Sequence, residues 1–271
     1  MKNRIKVTAL SLMSALALNL MPTVSAADLP TGQQVAENIN ARDEGEAVSR
    51  ILTMEMTDKN GKKRLRNTRG FRKYYGDEKR TVIFYLKPKN IKDTAFLTYD
   101  YADATQDDDQ WLYLPAMRKV RRISASDRGD YFLGTDFSYE DIKLETRVSL
   151  DDYNYKTIGE GEVDGKQCIM IESTAVSKEV AKELGYSKQE SCVDPEIWIV
   201  RQSKVWDTQG KLLKTLHFSD IRQVEDIWTV HLMQVENHKT GHQTKFTFSD
   251  VNYNEGVKDK VFTKTSIKRG L

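Results

Sequence analysis

From Ala47 almost to the C-terminus the chain is a succession of short runs rich in Val, Ile, Thr, Tyr, Phe and Trp, separated by turn residues. Runs of that kind have the composition and spacing of antiparallel strands joined by tight connections. Leu52, Met54 and Met56 alternate with Thr53, Glu55 and Thr57, which gives one apolar and one polar face at the two-residue period of a strand. Asp58-Lys59-Asn60-Gly61 then turns the chain into the run from Leu65 to Tyr75, and Asp164-Gly165 joins two further runs as a dipeptide that favours a two-residue hairpin. About ten or eleven strands are expected. Helix is the minority state. Thr31 to Ala41 collects Val35, Ala36 and Ile39 on one face, Ser177 is placed to cap a short helix ended by Gly185, and Ser138-Tyr139-Glu140-Asp141 has the form of a capping box before Ile142.

A long antiparallel sheet must cover its apolar side. With so little helix available, it does so by curling on itself, the few helices plugging the concave side, and an incomplete plug encloses an apolar cavity. A β-sandwich whose faces bury one another completely fits the same periodicity. No internal repeat, proline-rich linker or composition break divides residues 27–271, so a single β domain is expected there.

The first 26 residues read as a secretory signal. Lys2, Arg4 and Lys6 precede the uncharged run 7–20, and Val24-Ser25-Ala26 offers the small residues of a cleavage site. The run is shorter than the roughly 20 residues needed to span a bilayer. Cleavage after Ala26 would remove three positive charges from a formal net of +2. The remainder is slightly acidic, which takes away the electrostatic case for nucleic acid. No cysteine follows the cleavage position, so a lipid-anchored N-terminus is not expected. Cys168 and Cys192 lie in the exported part, where an oxidising compartment permits a disulfide; two separate buried thiols are the other reading.

The search for chemistry is largely negative: no nucleophile elbow, zinc-protease helix, phosphate-binding loop or dinucleotide fingerprint is present. His217, His231, His238 and His242 fall in strand-like runs or a turn, and Asp107-Asp108-Asp109 and Asp151-Asp152 read as solvated turns. No catalytic residue, metal site or cofactor is expected. The densest segment is 111–142, which interleaves Trp111, Tyr113, Phe132, Phe137 and Tyr139 with Arg118, Lys119, Arg121, Arg122 and Arg128. One reading is an amphipathic mouth in which the aromatics line an apolar cavity and the guanidinium groups at its rim meet phosphate or carboxylate head groups. The other is an ordinary core beneath a solvated, acid-paired strand face. A second basic stretch, Lys62 to Arg69 with Arg72 and Lys73, suits an anionic membrane surface or an acidic partner. Met54, Met56 and Met233 suit an adaptable apolar wall.

The block from Asp109 to Pro115, the run Lys119-Val120-Arg121-Arg122-Ile123 and the stretch from Phe132 to Asp141 resemble the signature of exported outer-membrane lipoprotein-sorting proteins, relatives of the periplasmic lipoprotein carrier LolA. The resemblance covers the chain from about residue 41 onward. It implies an unclosed antiparallel β-barrel capped by short helices, with a hydrophobic cavity that holds acyl chains in transit across the periplasm. It also implies work beside lipid-handling membrane transporters of the resistance-nodulation-division type. Taken with the residues, the expectation is a soluble periplasmic carrier, not an enzyme, that binds a lipid or a lipoprotein's acyl chains and touches membrane surfaces transiently. Trp111, Tyr113, Arg118, Arg121, Arg122, Phe132, Phe137 and Tyr139 are the candidate ligand contacts. The rival is a packed interaction or sensor module, or an accessory subunit of such a transporter.

Overall fold

The structure, a computed structural model, describes residues 29–103 and 106–271; the signal-sequence reading of residues 1–26 lies outside them. Among the described residues thirteen strands form: β1 (Ala47–Thr57), β2 (Lys63–Tyr75), β3 (Glu78–Lys87), β4 (Ala95–Asp100), β5 (Asp109–Leu114), β6 (Lys119–Ile123), β7 (Tyr153–Val163), β8 (Lys166–Ala175), β9 (Tyr186–Asp194), β10 (Ile199–Asp207), β11 (Leu212–Val224), β12 (Ile227–Asn237) and β13 (His242–Asn252). They make one antiparallel sheet in the order β6-β5-β4-β3-β2-β1-β13-β12-β11-β10-β9-β8-β7. All but one of the neighbours are consecutive in the chain; the exception is β1 beside β13, which pairs Met54 with Phe246 and Thr57 with Gln243.

Thirteen exceeds the ten or eleven strands expected, and the strand that the hydrophobic pattern does not announce at all is β9. Its middle, Ser187-Lys188-Gln189-Glu190-Ser191, is polar on both faces, so no alternation marks it. The expected turns form: Asp164 and Gly165 both take positive φ, 52° and 74°, the pair of values that a two-residue hairpin matched to strand twist requires.

Laid flat, thirteen strands spaced at about 4.8 Å would put β6 and β7 more than about 50 Å apart. Yet Ile123 of β6, Phe96 of β4, Met54 of β1, Phe218 of β11, Tyr186 of β9 and Tyr153 of β7 share one buried apolar cluster with Phe132, Phe137, Tyr139 and Ile142. The sheet is therefore curled around these residues without closing, as an unclosed barrel rather than a sandwich. The 29 residues 124–152, which connect the two edge strands, fill its inside as a plug.

Three helices form where their sequences announce them. Helix α1 (Gly32–Ala41) carries a capping box between Thr31 and Gln34 and packs Val35 and Ile39 on Ile169, Ile171 and Val193. Helix α2 (Tyr139–Leu144) lies within the plug, and α3 (Lys178–Leu184) is capped by Ser177 and ended by Gly185 at φ 75°. A fourth, α4 (Lys264–Arg269), belongs to a C-terminal segment that covers the opposite face of the sheet. There Val257, Phe262 and Ile267 bury Val82, Phe84, Ala95, Leu97 and Trp111. The Cys168–Cys192 disulfide joins β8 to β9, with 5.4 Å between the Cα atoms.

Candidate ligand-binding site

The plug begins by folding on itself. Phe132 N donates to Phe137 O at 2.7 Å and Thr135 Oγ1 to Phe132 O at 2.8 Å, around Leu133 and Gly134, both with positive φ. Asp136 at this corner is held by β12 and β13: its carboxylate accepts from Asn237 Nδ2 at 3.0 Å and from Thr244 Oγ1 at 2.6 Å. Ser138 then starts α2 as its sequence requires. Its hydroxyl accepts from Asp141 N at 3.0 Å while Asp141 Oδ2 accepts from Ser138 N at 2.7 Å. The same Asp141 oxygen meets Lys214 Nζ of β11 at 2.5 Å, and Lys214, fully buried, also donates to Tyr186 OH. Arg128 and Asp152 form a two-bond clasp of 2.9 and 2.8 Å that ties the two ends of the plug together. Gly129 is pressed against α3: a Cβ there would lie 2.5 Å from the Leu184 backbone, so a side chain has no room.

At the far end the plug meets a buried carboxylate. Glu44 takes Arg42 Nη2 at 2.5 Å, Tyr74 OH at 2.5 Å, Thr146 Oγ1 at 2.7 Å, Arg147 Nε at 3.2 Å and Arg72 Nη1 at 3.3 Å. Burial by itself would push this carboxyl up; Arg72 and Arg42 outweigh it and hold Glu44 well below the usual carboxylate range. Glu140, also buried, has weaker company. Lys143 lies 2.9 Å from it, but neither carboxylate oxygen has a hydrogen bond of good geometry, and burial raises it against the pull of Lys143 and Arg128. No sequence signal marks Glu44 or Lys214 as members of these networks, because each finds its partners far along the chain.

Between the plug and the strands it covers lies a hollow. Leu216, Phe218 and Met233 of β11 and β12, with Phe137 of the plug, form an apolar wall. Ser173, Gln189, Ser191 and Ser203 of β8, β9 and β10, interleaved with Ile171, Ile199 and Val200, form a more polar one beside it. Ser191 Oγ donates to Ser203 Oγ at 2.9 Å, and Gln189 Nε2 donates to Tyr153 OH at 2.8 Å. The empty space counted out to the mouth is about 770 Å³, but only about 80 Å³ is wide enough for water. That is room for a few waters and not for a hydrocarbon tail while the plug is in place.

The structure divides the candidate contacts of the sequence. Phe137 lines the hollow and stacks on Phe246 at 4.3 Å. Phe132 and Tyr139 stand behind it, both against Phe96 at 5.0 and 5.5 Å. Trp111 is on the other face of the sheet, under the C-terminal segment, with Lys264 Nζ 4.3 Å from its ring; Tyr113 joins the same cluster. Arg122 pairs with Asp109 at 2.8 Å and Arg121 with Asp127 at 3.3 Å, both exposed, and Arg118 stands exposed at a hairpin tip. The aromatics are thus brought together as two clusters on two faces, and the arginines are not gathered at one mouth. Met233 is in the apolar wall, whereas Met54 is core, its sulfur accepting from Tyr85 OH at 3.5 Å. Among the described residues no group of His, Cys, Asp or Glu is arranged to hold a metal ion.

A curled, unclosed antiparallel sheet with helices and a connecting segment in its concavity is the LolA-like fold. A LolA superfamily protein from Nitrosomonas europaea shares it with a TM-score of 0.66 at 18% identity, over 88% of this chain and 99% of that one. The sequence goes further than the fold. A DUF1329 family protein from Desulfovibrio piger is 30% identical over 87% of this chain and 97% of that chain, with a TM-score of 0.79. A domain named for outer membrane lipoprotein sorting, from Vibrio parahaemolyticus, is 32% identical over 88% and 98%, with a TM-score of 0.77. A family model described as an uncharacterized protein matches residues 77–269. No curated protein matches the sequence. The chain belongs to the DUF1329 family of LolA-like proteins.

Proposed function

We propose that this chain is a periplasmic carrier, without covalent chemistry of its own, that takes up the acyl chain of a lipid or lipoprotein in the hollow beneath the plug. The observation that carries the reading is the hollow itself: an apolar wall of Leu216, Phe218, Met233 and Phe137 adjoins a serine-lined wall under a segment that is not part of the sheet. An acyl tail would lie on the first wall and its ester or amide oxygens would meet the hydroxyls of the second. The sorting function named for the Vibrio relative is in keeping with this.

Each buried methylene contributes about 0.8 kcal/mol, so a tail of a dozen carbons outweighs a substantial cost of moving the plug. A ligand so held leaves slowly, and the carrier therefore needs a membrane or protein to accept it. A transporter of the resistance-nodulation-division type is the donor or acceptor the family resemblance suggests. Phe137 is the candidate contact this proposal keeps in direct touch with ligand; Phe132 and Tyr139 support it, and Trp111 and Tyr113 are assigned to the C-terminal cover.

Native mass spectrometry of protein purified gently from envelope extracts tests the reading. The expected result is a bound lipid mass that disappears in Phe218→Glu while the circular dichroism spectrum is unchanged. Protein that is free of lipid, and that takes up no fluorescent fatty acid, would return the chain to the class of packed interaction modules.

A further inference from the structure

The charge of the β1–β6 half of the sheet is separated end from end. The three hairpin tips at one end, residues 58–66, 87–93 and 115–119, hold ten Lys and Arg against two Asp. At the other end, residues 76–78, 100–103 and 106–109 hold seven Asp and Glu and no Lys or Arg. Strand β3, ten residues long, sets about 30 Å between the two groups. The acidic end is partly neutralised by neighbours, Lys79 on Asp100 at 3.2 Å, Arg122 on Asp109 at 2.8 Å and Lys143 on Asp108. On the basic tips Lys59, Lys62, Lys63, Arg64, Lys87, Lys89, Lys92, Arg118 and Lys119 are all exposed, and of these Lys63 alone has an ion pair recorded among the described residues, with Glu55.

The same tips carry apolar side chains in water. Leu65 is 54% exposed and Met117 59%. The register brings them to one rim: Asn67 of β2 pairs with Lys87, the last residue of β3, so Lys63 to Arg66 extend past the end of β3, and the β5–β6 connection at 115–118 extends past the Ala95–Tyr113 pair in the same direction. The plug corner is at this rim too. Arg66 Nη1 donates to Leu133 O at 2.6 Å, and Tyr131, 42% exposed, takes a hydrogen bond from Asn237 at the end of β12.

The geometry points to this rim as a docking surface for an anionic phospholipid bilayer. Ten cations on adjacent tips attract anionic head groups, Leu65 and Met117 enter the interface between them, and the repelled acidic end fixes the orientation. An acidic protein partner would suit the charges but gives no use for two separate exposed apolar tips. The docking rests on the carrier reading only for its purpose, since in this pose the plug corner at Tyr131 and Leu133 faces the membrane.

Co-sedimentation with vesicles of phosphatidylglycerol and phosphatidylcholine at a ratio of three to seven, against pure phosphatidylcholine, is the test. The protein should bind the first and ignore the second. Replacing Lys59, Lys62, Arg64 and Lys119 together by Gln should lower partitioning at least about a hundredfold. Replacing Lys156, Lys166 and Lys204, exposed elsewhere on the sheet, should leave it unchanged. L65E/M117E should keep binding at low salt but lose the fraction that resists 0.5 M salt, a condition set about threefold above physiological ionic strength so that only the apolar contribution survives. Equal partitioning to both vesicle types, no binding to either, or equal losses in the tip and control variants would overturn the proposal; circular dichroism confirms that each variant is folded. Fatty-acid uptake is measured separately. Protein that docks but takes up no tail sinks the carrier reading and leaves the docking surface standing, and protein that carries lipid but ignores anionic vesicles does the reverse.

Discussion

Two segments cover the sheet, one on each face, and they are held in different ways. The C-terminal cover buries Val257, Phe262 and Ile267, all under 10% exposed; its polar ties run from Asp259 to Lys73 and Tyr75, from Glu255 to Ser49 and Arg69, and from Tyr99 OH to Phe262 O, and none of its ion pairs among the described residues is buried. The plug buries Phe132, Phe137, Tyr139 and Ile142, but it also carries Asp136, Asp141, Lys143, Glu145 and Arg147, every one with a charged or hydrogen-bonded partner in or beside the sheet, and Glu140, whose ion pair is with Lys143 of the plug itself. Apolar burial lost on opening is lost outright. Buried ions recover their hydration when exposed, so a pair contributes far less to closure than its contact distance suggests. The C-terminal cover is therefore built to stay, and the plug is built to be well positioned yet cheap to lift.

The largest effect expected from this difference is on the C-terminal side. Phe262→Ala empties a site with no exposure and should lower global stability by about 3–5 kcal/mol in urea unfolding. Amide exchange in the plug should rise only in step with the global change. If plug amides respond more than those of β3 to β5, the two covers are not independent.

Next is the disulfide, which ties β8 to β9 behind the polar wall of the hollow. Cys168→Ser with Cys192→Ser should cost about 3 kcal/mol, since 24 residues separate the two and reopening that loop enlarges the unfolded ensemble. The loss should again appear in the global unfolding midpoint. Selective loosening of residues 132–145 by amide exchange would instead make the disulfide part of the plug's seat.

Lys214→Met sharpens the contrast. Removing one partner of a buried pair ordinarily costs about 3–5 kcal/mol, because the other charge is stranded. Here the stranded group is Asp141 on the plug, which can swing into water, so the cost is capped at the free energy of local opening and should come to about 2 kcal/mol. Amide exchange should accelerate in residues 132–145 and not in the C-terminal cover. The double variant Lys214→Met with Asp141→Asn, which keeps the α2 cap, should return to within about 1 kcal/mol of the parent.

The sheet was legible because a period of two repeats through most of its strands; what was not legible was which face each strand turns inward. Within β5, Leu112 points to the plug and Trp111 and Tyr113 to the C-terminal cover, and a one-residue offset in pairing would exchange them. That is why eight candidate contacts drawn from one dense segment fall into separate places. The capping box at Ser138 was legible because its partners are three residues apart, whereas Lys214 meets Asp141 across 73 residues and Glu44 meets Arg147 across 103. Strand β9 escaped for a related reason: its inward residues, Gln189 and Ser191, are polar because they face the hollow. The C-terminal cover gave no signal because Val257, Phe262 and Ile267 are spaced at neither the strand nor the helix period.

The smallest effect concerns the sign of a single plug carboxylate. Glu140 is buried with its charge poorly matched, so its folded form holds the proton more tightly than the unfolded chain does. Its contribution therefore favours folding at pH values below the ordinary glutamate range and is lost as pH rises through the raised value. Glu44, held low by its arginines, contributes in the opposite sense: its stabilisation is present above that range and is lost as pH falls. Glu140→Gln should accordingly raise the unfolding midpoint at pH 7 by an amount worth about 1 kcal/mol, with the gain shrinking toward zero near pH 4, and plug amides should be the ones that slow. A loss of stability at pH 7 would show instead that the Glu140–Lys143 contact is a net attraction, and the plug would then be anchored as firmly as the segment on the other face.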